Sequence, residues 1–305
     1  MSAADKDAEE IYNACKGLGT REEVITNIIC HRNSQQRQEI AVAYKTNYGE
    51  DIIKTMESEL SGDYLNIIKS LLMKPRDYDA TLLHTALHKL NTDETVLTEV
   101  IASRPPHVLK LVKDRYKQLF NEDLEEKVSK ECSGDYKKYL ISLLQCNRSV
   151  NENPDIADCE AKAKQLYEAG EKKRGTDEEV FGKIILNASQ AELKEIEISY
   201  ITNYGHSLMK AIDSEFSGDE KSLLKAVFLS ILRPCEYIAR RINKAISGLG
   251  TDEDMLIRQL VFRDGIRMDH VRYFYKAIFN KDMVEEIADD VSGDFGECCK
   301  IISSQ

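Results

Sequence analysis

The tripeptide Ser-Gly-Asp occurs four times in 305 residues, at Ser61-Gly62-Asp63, Ser133-Gly134-Asp135, Ser217-Gly218-Asp219 and Ser292-Gly293-Asp294, with spacings of 72, 84 and 75. A second marker precedes each copy: Gly17-Leu18-Gly19-Thr20, Lys89-Leu90-Asn91-Thr92, Lys173-Arg174-Gly175-Thr176 and Gly248-Leu249-Gly250-Thr251. From the third residue of each marker to the glycine of Ser-Gly-Asp is 43 residues in all four cases. A carboxylate (Glu59, Glu131, Glu215, Asp290) stands two residues before each serine, always 40 after that third residue. A fixed offset inside repeats of unequal spacing requires a fixed internal geometry, so the chain must be four copies of one module.

Each module reads as helices. Thr20 with Glu23, and Thr176 with Glu179, have the spacing of capping boxes that open a helix just after the loop. Val24, Ile25, Ile28 and Ile29 then recur at helical spacing, as do Ile67, Ile68, Leu71 and Leu72 after Ser-Gly-Asp. Their counterparts are Leu140, Ile141 and Leu144, and Leu223, Leu224, Val227 and Phe228. Pro75 and Pro234 mark repeat boundaries, and Pro105-Pro106 suits a first helical turn. No strong strand alternation interrupts the pattern, so the fold class is all-α. The long spacing of 84 places a polar linker with Pro154 at 147–158. The resulting division is a short segment 1–4, repeats at 5–74 and 75–146, the linker, then repeats at 159–233 and 234–305. Two halves of two repeats each are expected.

Composition limits the partners. The net charge is −11, which disfavours nucleic acid and would oppose an anionic membrane unless a cation bridges the two. The N-terminus has no apolar run like a signal peptide, and no stretch approaches the ~18 apolar residues of a membrane span. The eight cysteines are therefore expected to be cytosolic thiols, with Cys298 and Cys299 packed as small hydrophobes.

The loop and the distant acid together suggest a metal site. Glycines ahead of a helix let several carbonyls aim at one point. Carbonyl oxygens plus a bidentate carboxylate are the hard ligands Ca²⁺ prefers. One carboxylate among neutral ligands leaves positive charge on the ion and implies an affinity near ~10⁻⁴–10⁻³ M. An open coordination position can accept a lipid phosphate, which supplies the cationic bridge. Taken singly, Gly-x-Gly-Thr is a helix-entry loop and Ser-Gly-Asp a turn. The coupling of the two with a fixed acid carries the argument.

These residues resemble the signature of the annexin family, over nearly the whole chain from about Asp5. The resemblance implies five-helix repeats in a curved disc with calcium sites on its convex, membrane-facing side. By the same resemblance, repeat I would bind Ca²⁺ through the carbonyls of Cys15, Gly17 and Gly19 and the carboxylate of Glu59. Repeat III would use Gly170, Lys173, Gly175 and Glu215; repeat IV, Ile246, Gly248, Gly250 and Asp290. Repeat II departs: Lys89 and Asn91 replace both glycines, although Glu131 remains. Asn tolerates left-handed geometry, Lys does not, and three working sites are expected rather than four. The family's arginine after the loop is present as Arg32, Arg104 and Arg263, with Ala188 in repeat III. Asp79, Glu99, Arg104 and Arg258 match the family's polar central passage, to which ion conduction is sometimes attributed; a buried ion-pair network is the simpler reading. The loop tips Leu18, Arg174 and Leu249 are candidates for membrane contact, and Leu90 is their counterpart in repeat II.

Other chemistries are poorly supported. P-loop, dinucleotide, EF-hand and His-Glu-x-x-His patterns are missing. His84 and His88 are four apart and could share a helix face, but no third ligand is evident beside them. With no catalytic constellation, an enzyme is not expected. The expected function is calcium-dependent binding to anionic phospholipid such as phosphatidylserine, by a cytoplasmic protein that becomes peripheral to membranes when calcium is present. It would serve membrane organisation, trafficking or repair, with self-association on membranes possible for the family. The alternative is a helical scaffold that binds cytoskeletal or other proteins.

Overall fold

The computed structural model describes residues 2–17, 19–248, 250–261 and 266–305. Among these there are twenty α-helices and no strand, five helices to a repeat. Repeat I holds α1 (Ala3–Ala14), α2 (Glu22–His31), α3 (Ser34–Tyr48), α4 (Ile52–Glu59) and α5 (Gly62–Leu72). Repeat II holds α6 (Pro75–Leu87), α7 (Glu94–Ser103), α8 (Pro106–Phe120), α9 (Leu124–Glu131) and α10 (Gly134–Leu144). Repeat III holds α11 (Ile156–Ala169), α12 (Glu178–Asn187), α13 (Gln190–Tyr204), α14 (Leu208–Glu215) and α15 (Gly218–Leu232). Repeat IV holds α16 (Pro234–Ile246), α17 (Glu253–Val261), α18 (Met268–Phe279), α19 (Met283–Asp290) and α20 (Gly293–Ser304).

The apolar stripes form the core. Ile25, Ile28, Ile29, Ile67, Ile68, Leu71 and Leu72 are buried, as are Leu223, Leu224, Val227 and Phe228. A further repeat marker emerges in the third helix of every module: Tyr44, Tyr116, Tyr200 and Tyr275 are all fully buried and follow the Ser-Gly-Asp spacing. Helix ends are set by side chains. Asp51, Asp123, Ser207 and Asp282 each accept from backbone N–H groups at the start of the fourth helix. Each Ser-Gly-Asp glycine lies in the left-handed region, φ 56–66°, where a side chain is strained. That explains why all four copies keep it. Pro75 and Pro234 open α6 and α16, where a missing N–H costs nothing.

Two compact units form, and they are not the expected halves on either side of 147–158. One consists of residues 1–78 with 235–305, the other of residues 79–234. Repeat I packs with IV, and II with III. In the first unit α2 lies against α20, and α5 against α17 and α20. In the second unit α7 lies against α15, and α10 against α12 and α15. The second and fifth helices of each repeat carry the apolar faces that a lone repeat leaves uncovered, and these drive the pairing. The polar 147–158 segment lies inside the second unit and is tied down there. Ser149 N–H donates to the Asn187 carbonyl at 2.9 Å, and Ser189 Oγ to the Asn151 carbonyl at 2.6 Å. No described helix is long and apolar enough to cross a membrane.

Candidate metal-binding loops

Each repeat closes its marker loop with the same backbone bond, from the residue after the threonine to a carbonyl at the end of the first helix. The pairs are Arg21 to Ala14 (3.0 Å), Asp93 to Ala86 (3.1 Å), Asp177 to Ala169 (2.8 Å) and Asp252 to Ala245 (2.8 Å). The loop of repeat III is one residue longer than the others by this measure.

The distant acid does fold back onto the loop in repeats I, III and IV. Thr20 Oγ1 donates to Glu59 Oε2 at 2.9 Å, Thr176 Oγ1 to Glu215 Oε2 at 2.7 Å, and Thr251 Oγ1 to Asp290 Oδ2 at 2.5 Å. These bonds overturn the capping-box expectation for Thr20 and Thr176. The threonine hydroxyl is turned toward the acid, and the helix is capped by its neighbour. Asp93, Asp177 and Asp252 accept from the N–H groups of Val96, Val180 and Met255. In repeat I the neighbour is Arg21, which cannot accept, and α2 has no side-chain cap. The readable signal was the Asp that follows Thr in three of the four markers.

The third marker residue explains the glycine. Gly19, Gly175 and Gly250 have φ of 85°, 86° and 89°. In repeat III, Gly170 packs so closely on Glu215 that an added Cβ would lie 3.0 Å from its Cγ, and the Gly170 carbonyl accepts from Lys173 N–H at 3.0 Å. Cys15 also feels its acid: burial first, then the Glu59 and Glu22 carboxylates, push its thiol up to about 11. Gly17 too lies at positive φ, 116°. The loop residues Cys15, Gly17, Gly19, Gly170, Lys173, Gly175, Gly248 and Gly250, with Ile246 at the end of α16, are thus each in the same unit as the acid of their own repeat.

Repeat II differs in backbone as well as in sequence. Asn91 does not adopt the left-handed conformation, although Asn121 and Asn280 do so at helix ends, φ 54° and 56°. The tolerance expected of asparagine is therefore not used here. Lys89 Nζ instead binds Asp93 at 2.6 Å, and Lys127 Nζ binds Glu131 at 3.0 Å. Among the described residues Thr92 makes no bond to Glu131. A lysine ammonium holds the acid that the other repeats turn to the loop.

Of the loop tips, Leu18 and Leu249 lie outside the described residues, as does Arg263. Arg174 is exposed, and Leu90 is 102% exposed, a leucine standing wholly in water. The polar-passage residues are buried. Asp79 and Arg104 form a bidentate pair at 2.6 and 2.9 Å, and Glu99 is buried on α7, whose C-cap is Arg104. Arg258 is buried on α17 in the other unit. Repeat I contains the same strut: Arg32 binds Asp7 at 2.6 and 2.9 Å. The pair thus recurs in repeats I and II. Where repeat III has Ala188, Arg148 Nε donates to the Leu186 carbonyl at 3.3 Å, so the connecting segment covers that helix end instead.

Four five-helix modules, each closing a helix-entry loop, with a carboxylate from the fourth helix bonded to it in three of them, define a class of all-helical repeat protein. An annexin family profile matches four segments, 6–71, 78–143, 161–227 and 237–302. The chain is 39% identical to annexin A5 of Gallus gallus over 292 residues, 96% of this chain and 91% of that protein. The structure of annexin III superposes with a TM-score of 0.94 at 29% identity, covering 100% of this chain and 94% of that one. That of calcium-bound annexin (Sm)1 has a TM-score of 0.86 at 29% identity, covering 99% and 90%. The chain belongs to the annexin family, whose members bind calcium and phospholipid membranes and are not enzymes.

Proposed function

We propose that repeats I, III and IV each hold one Ca²⁺ that bridges the protein to the phosphates of an anionic membrane. The observation that carries this reading is the threonine–carboxylate bond, formed in those three repeats and missing from the one whose loop has lost its glycines. In repeat I the ligands would be the carbonyls of Cys15, Gly17 and Gly19 with Glu59. In repeat III they would be Gly170, Lys173, Gly175 and Glu215, and in repeat IV Ile246, Gly248, Gly250 and Asp290. The donor set is all oxygen with one formal charge, which suits calcium and leaves the bound ion cationic.

The chain's own groups do three things. The threonine hydroxyl holds one carboxylate oxygen, so the acid is placed before the ion arrives and less order is lost on binding. The left-handed glycine turns the loop backbone, which a Cβ would oppose. The tips would meet the headgroup layer, the exposed Arg174 by charge and the leucines by burial; Leu90, their counterpart in repeat II, stands unpacked in water. Calcium supplies the positive charge that a chain of net charge −11 lacks. Each site alone is weak, and joint engagement of three would raise apparent affinity by ~10²–10⁴. The protein would be cytoplasmic and peripheral to membranes when calcium rises. Asp79 with Arg104 would be a structural strut like Asp7 with Arg32.

Sedimentation with phosphatidylserine vesicles across a calcium titration tests this. Reversible pelleting that is lost in the Glu59→Gln, Glu215→Gln, Asp290→Asn triple variant is expected. Pelleting that survives the triple variant or a chelator would refute it.

A further inference from the structure

Repeat II lacks the loop glycines, and beside its loop, which begins one residue after His88, lies a different set of ligands. His84 and His88 stand one turn apart at the end of α6, and Glu122 follows α8. One ligand atom from each lies within 4.8 Å of the others, and among the described residues no other group of His, Cys, Asp or Glu does this. We propose that His84, His88 and Glu122 form a site for a divalent transition metal of the zinc class, distinct from the calcium loops.

The distances already suit such an ion. Two ligands on a tetrahedral zinc, with bonds of about 2.0–2.1 Å, sit about 3.3–3.4 Å apart. Glu122 Oε2 is 3.3 Å from His88 Nε2 and 3.7 Å from His84 Nδ1. Two imidazoles and a carboxylate favour zinc, copper or nickel over calcium, and three protein ligands leave a fourth position for water.

The ligands are oriented by their surroundings. His88 Nδ1 donates to the His84 carbonyl at 2.8 Å, which fixes the ring with Nε2 turned toward Glu122. The His84 ring is stacked on Phe120 at 3.8 Å and 7°, and lies 3.9 Å from the His88 ring. Tyr116 Oη donates to Glu122 Oε2 at 3.3 Å. The nearby cation Lys127 is itself paired with Glu131. All three ligands are partly open to solvent, which gives an ion a way in.

The other repeats show that the fold does not demand this cluster. The corresponding positions are Tyr12, Lys16 and Glu50 in repeat I and Asn243, Ser247 and Lys281 in repeat IV. In repeat III they are Tyr167, Glu171 and His206, where Glu171 pairs with the single imidazole at 2.9 Å. Tyr12 stacks on Tyr48 as His84 does on Phe120. His84→Tyr therefore removes a ligand while keeping a ring that the module accepts.

The test is titration of the full chain with Zn²⁺ by calorimetry, and with Co²⁺ by absorption. One Zn²⁺ per chain is expected, not displaced by about a hundredfold excess of Ca²⁺, with affinity reduced at least about tenfold in each of His84→Tyr, His88→Gln and Glu122→Gln. The Glu59→Gln, Glu215→Gln, Asp290→Asn triple variant should bind Zn²⁺ unchanged, even if the calcium reading fails. The Co²⁺ spectrum should show four-coordinate bands without thiolate charge transfer. Equal Zn²⁺ binding in all variants, a thiolate band, or no binding at millimolar Zn²⁺ would each overturn the proposal. Thermal melting of the metal-free variants checks folding, and a Zn²⁺-dependent rise in Tm is expected only where all three ligands remain.

Discussion

At the scale of single residues, the threonine of the loop marker has a role that its hydroxyl alone performs. Replacing Thr176 by Val keeps the shape and removes the donor to Glu215. In a chain that also carries Glu59→Gln and Asp290→Asn, so that only repeat III competes for the ion, calcium affinity should fall by about tenfold, as for loss of an orienting partner. Folding stability should fall by only about 0.5–1.5 kcal/mol, because the acid can turn to water. Calorimetry and urea denaturation separate the two effects. The buried strut behaves in the opposite way. Asp79 is 0% exposed and bound at both oxygens by Arg104. Arg104→Ala leaves that carboxylate without its guanidinium in a dry interior and should cost about 3–5 kcal/mol in urea denaturation.

At the scale of elements, α10 meets α12 with no room to spare at Gly182. A Cβ on Gly182 would lie 2.4 Å from the Tyr139 ring, whose hydroxyl donates to the Glu178 carbonyl at 2.6 Å. Helix propensity favours alanine over glycine by about 1 kcal/mol, but overpacking costs about 1–3 kcal/mol. The ring is pinned at its far end and cannot swing away, so the clash outweighs propensity. Gly182→Ala should lower stability by up to about 2 kcal/mol net, with a matching fall in Tm. The loop of repeat II is the second test at this scale. Its backbone leaves the left-handed region at Asn91, and Lys89 is drawn to Asp93. Lys89→Gly with Asn91→Gly should add one bound Ca²⁺ per chain by equilibrium dialysis. Asn91→Gly alone should bind more weakly, because Lys89 stays held on Asp93 at 2.6 Å, whereas Lys173 in the longer loop of repeat III lies 3.9 Å from Asp177.

At the scale of the whole molecule, the pairing of repeat I with IV and II with III places the chain's ends in one unit and its middle in the other. Membrane binding through several weak sites should fall steeply as sites are removed. Each single acid variant should raise the calcium needed for half-maximal pelleting, and a double variant should shift it by more than either alone, because effective concentration couples the sites. A response that tracked one acid only would show that a single repeat carries the binding.

Much of this was legible in the chain itself. The offsets of 43 and 40 identify the module, its loop and its acid, because a repeated geometry must be encoded each time it is built. The helical stripes around Ile25 and Ile67 carry the all-α class, since apolar periodicity is local information. Other features arise only when distant segments meet. Thr20 reads as a cap from its local spacing to Glu23; its bond to Glu59, 39 residues away, exists only once α4 returns to the loop. The linker at 147–158 looked like a division between halves because polarity marks exposed chain, whereas which repeats pair is set by apolar faces far apart in sequence. The pair His84 and His88 lacked a third ligand until α8 brought Glu122 beside them. The sequence by itself determined the module, its helices and the acid that belongs to each loop. The tertiary structure alone decided which modules share a core, what the threonine binds and which side chains gather around His84 and His88, because those depend on contacts between residues that no local pattern links.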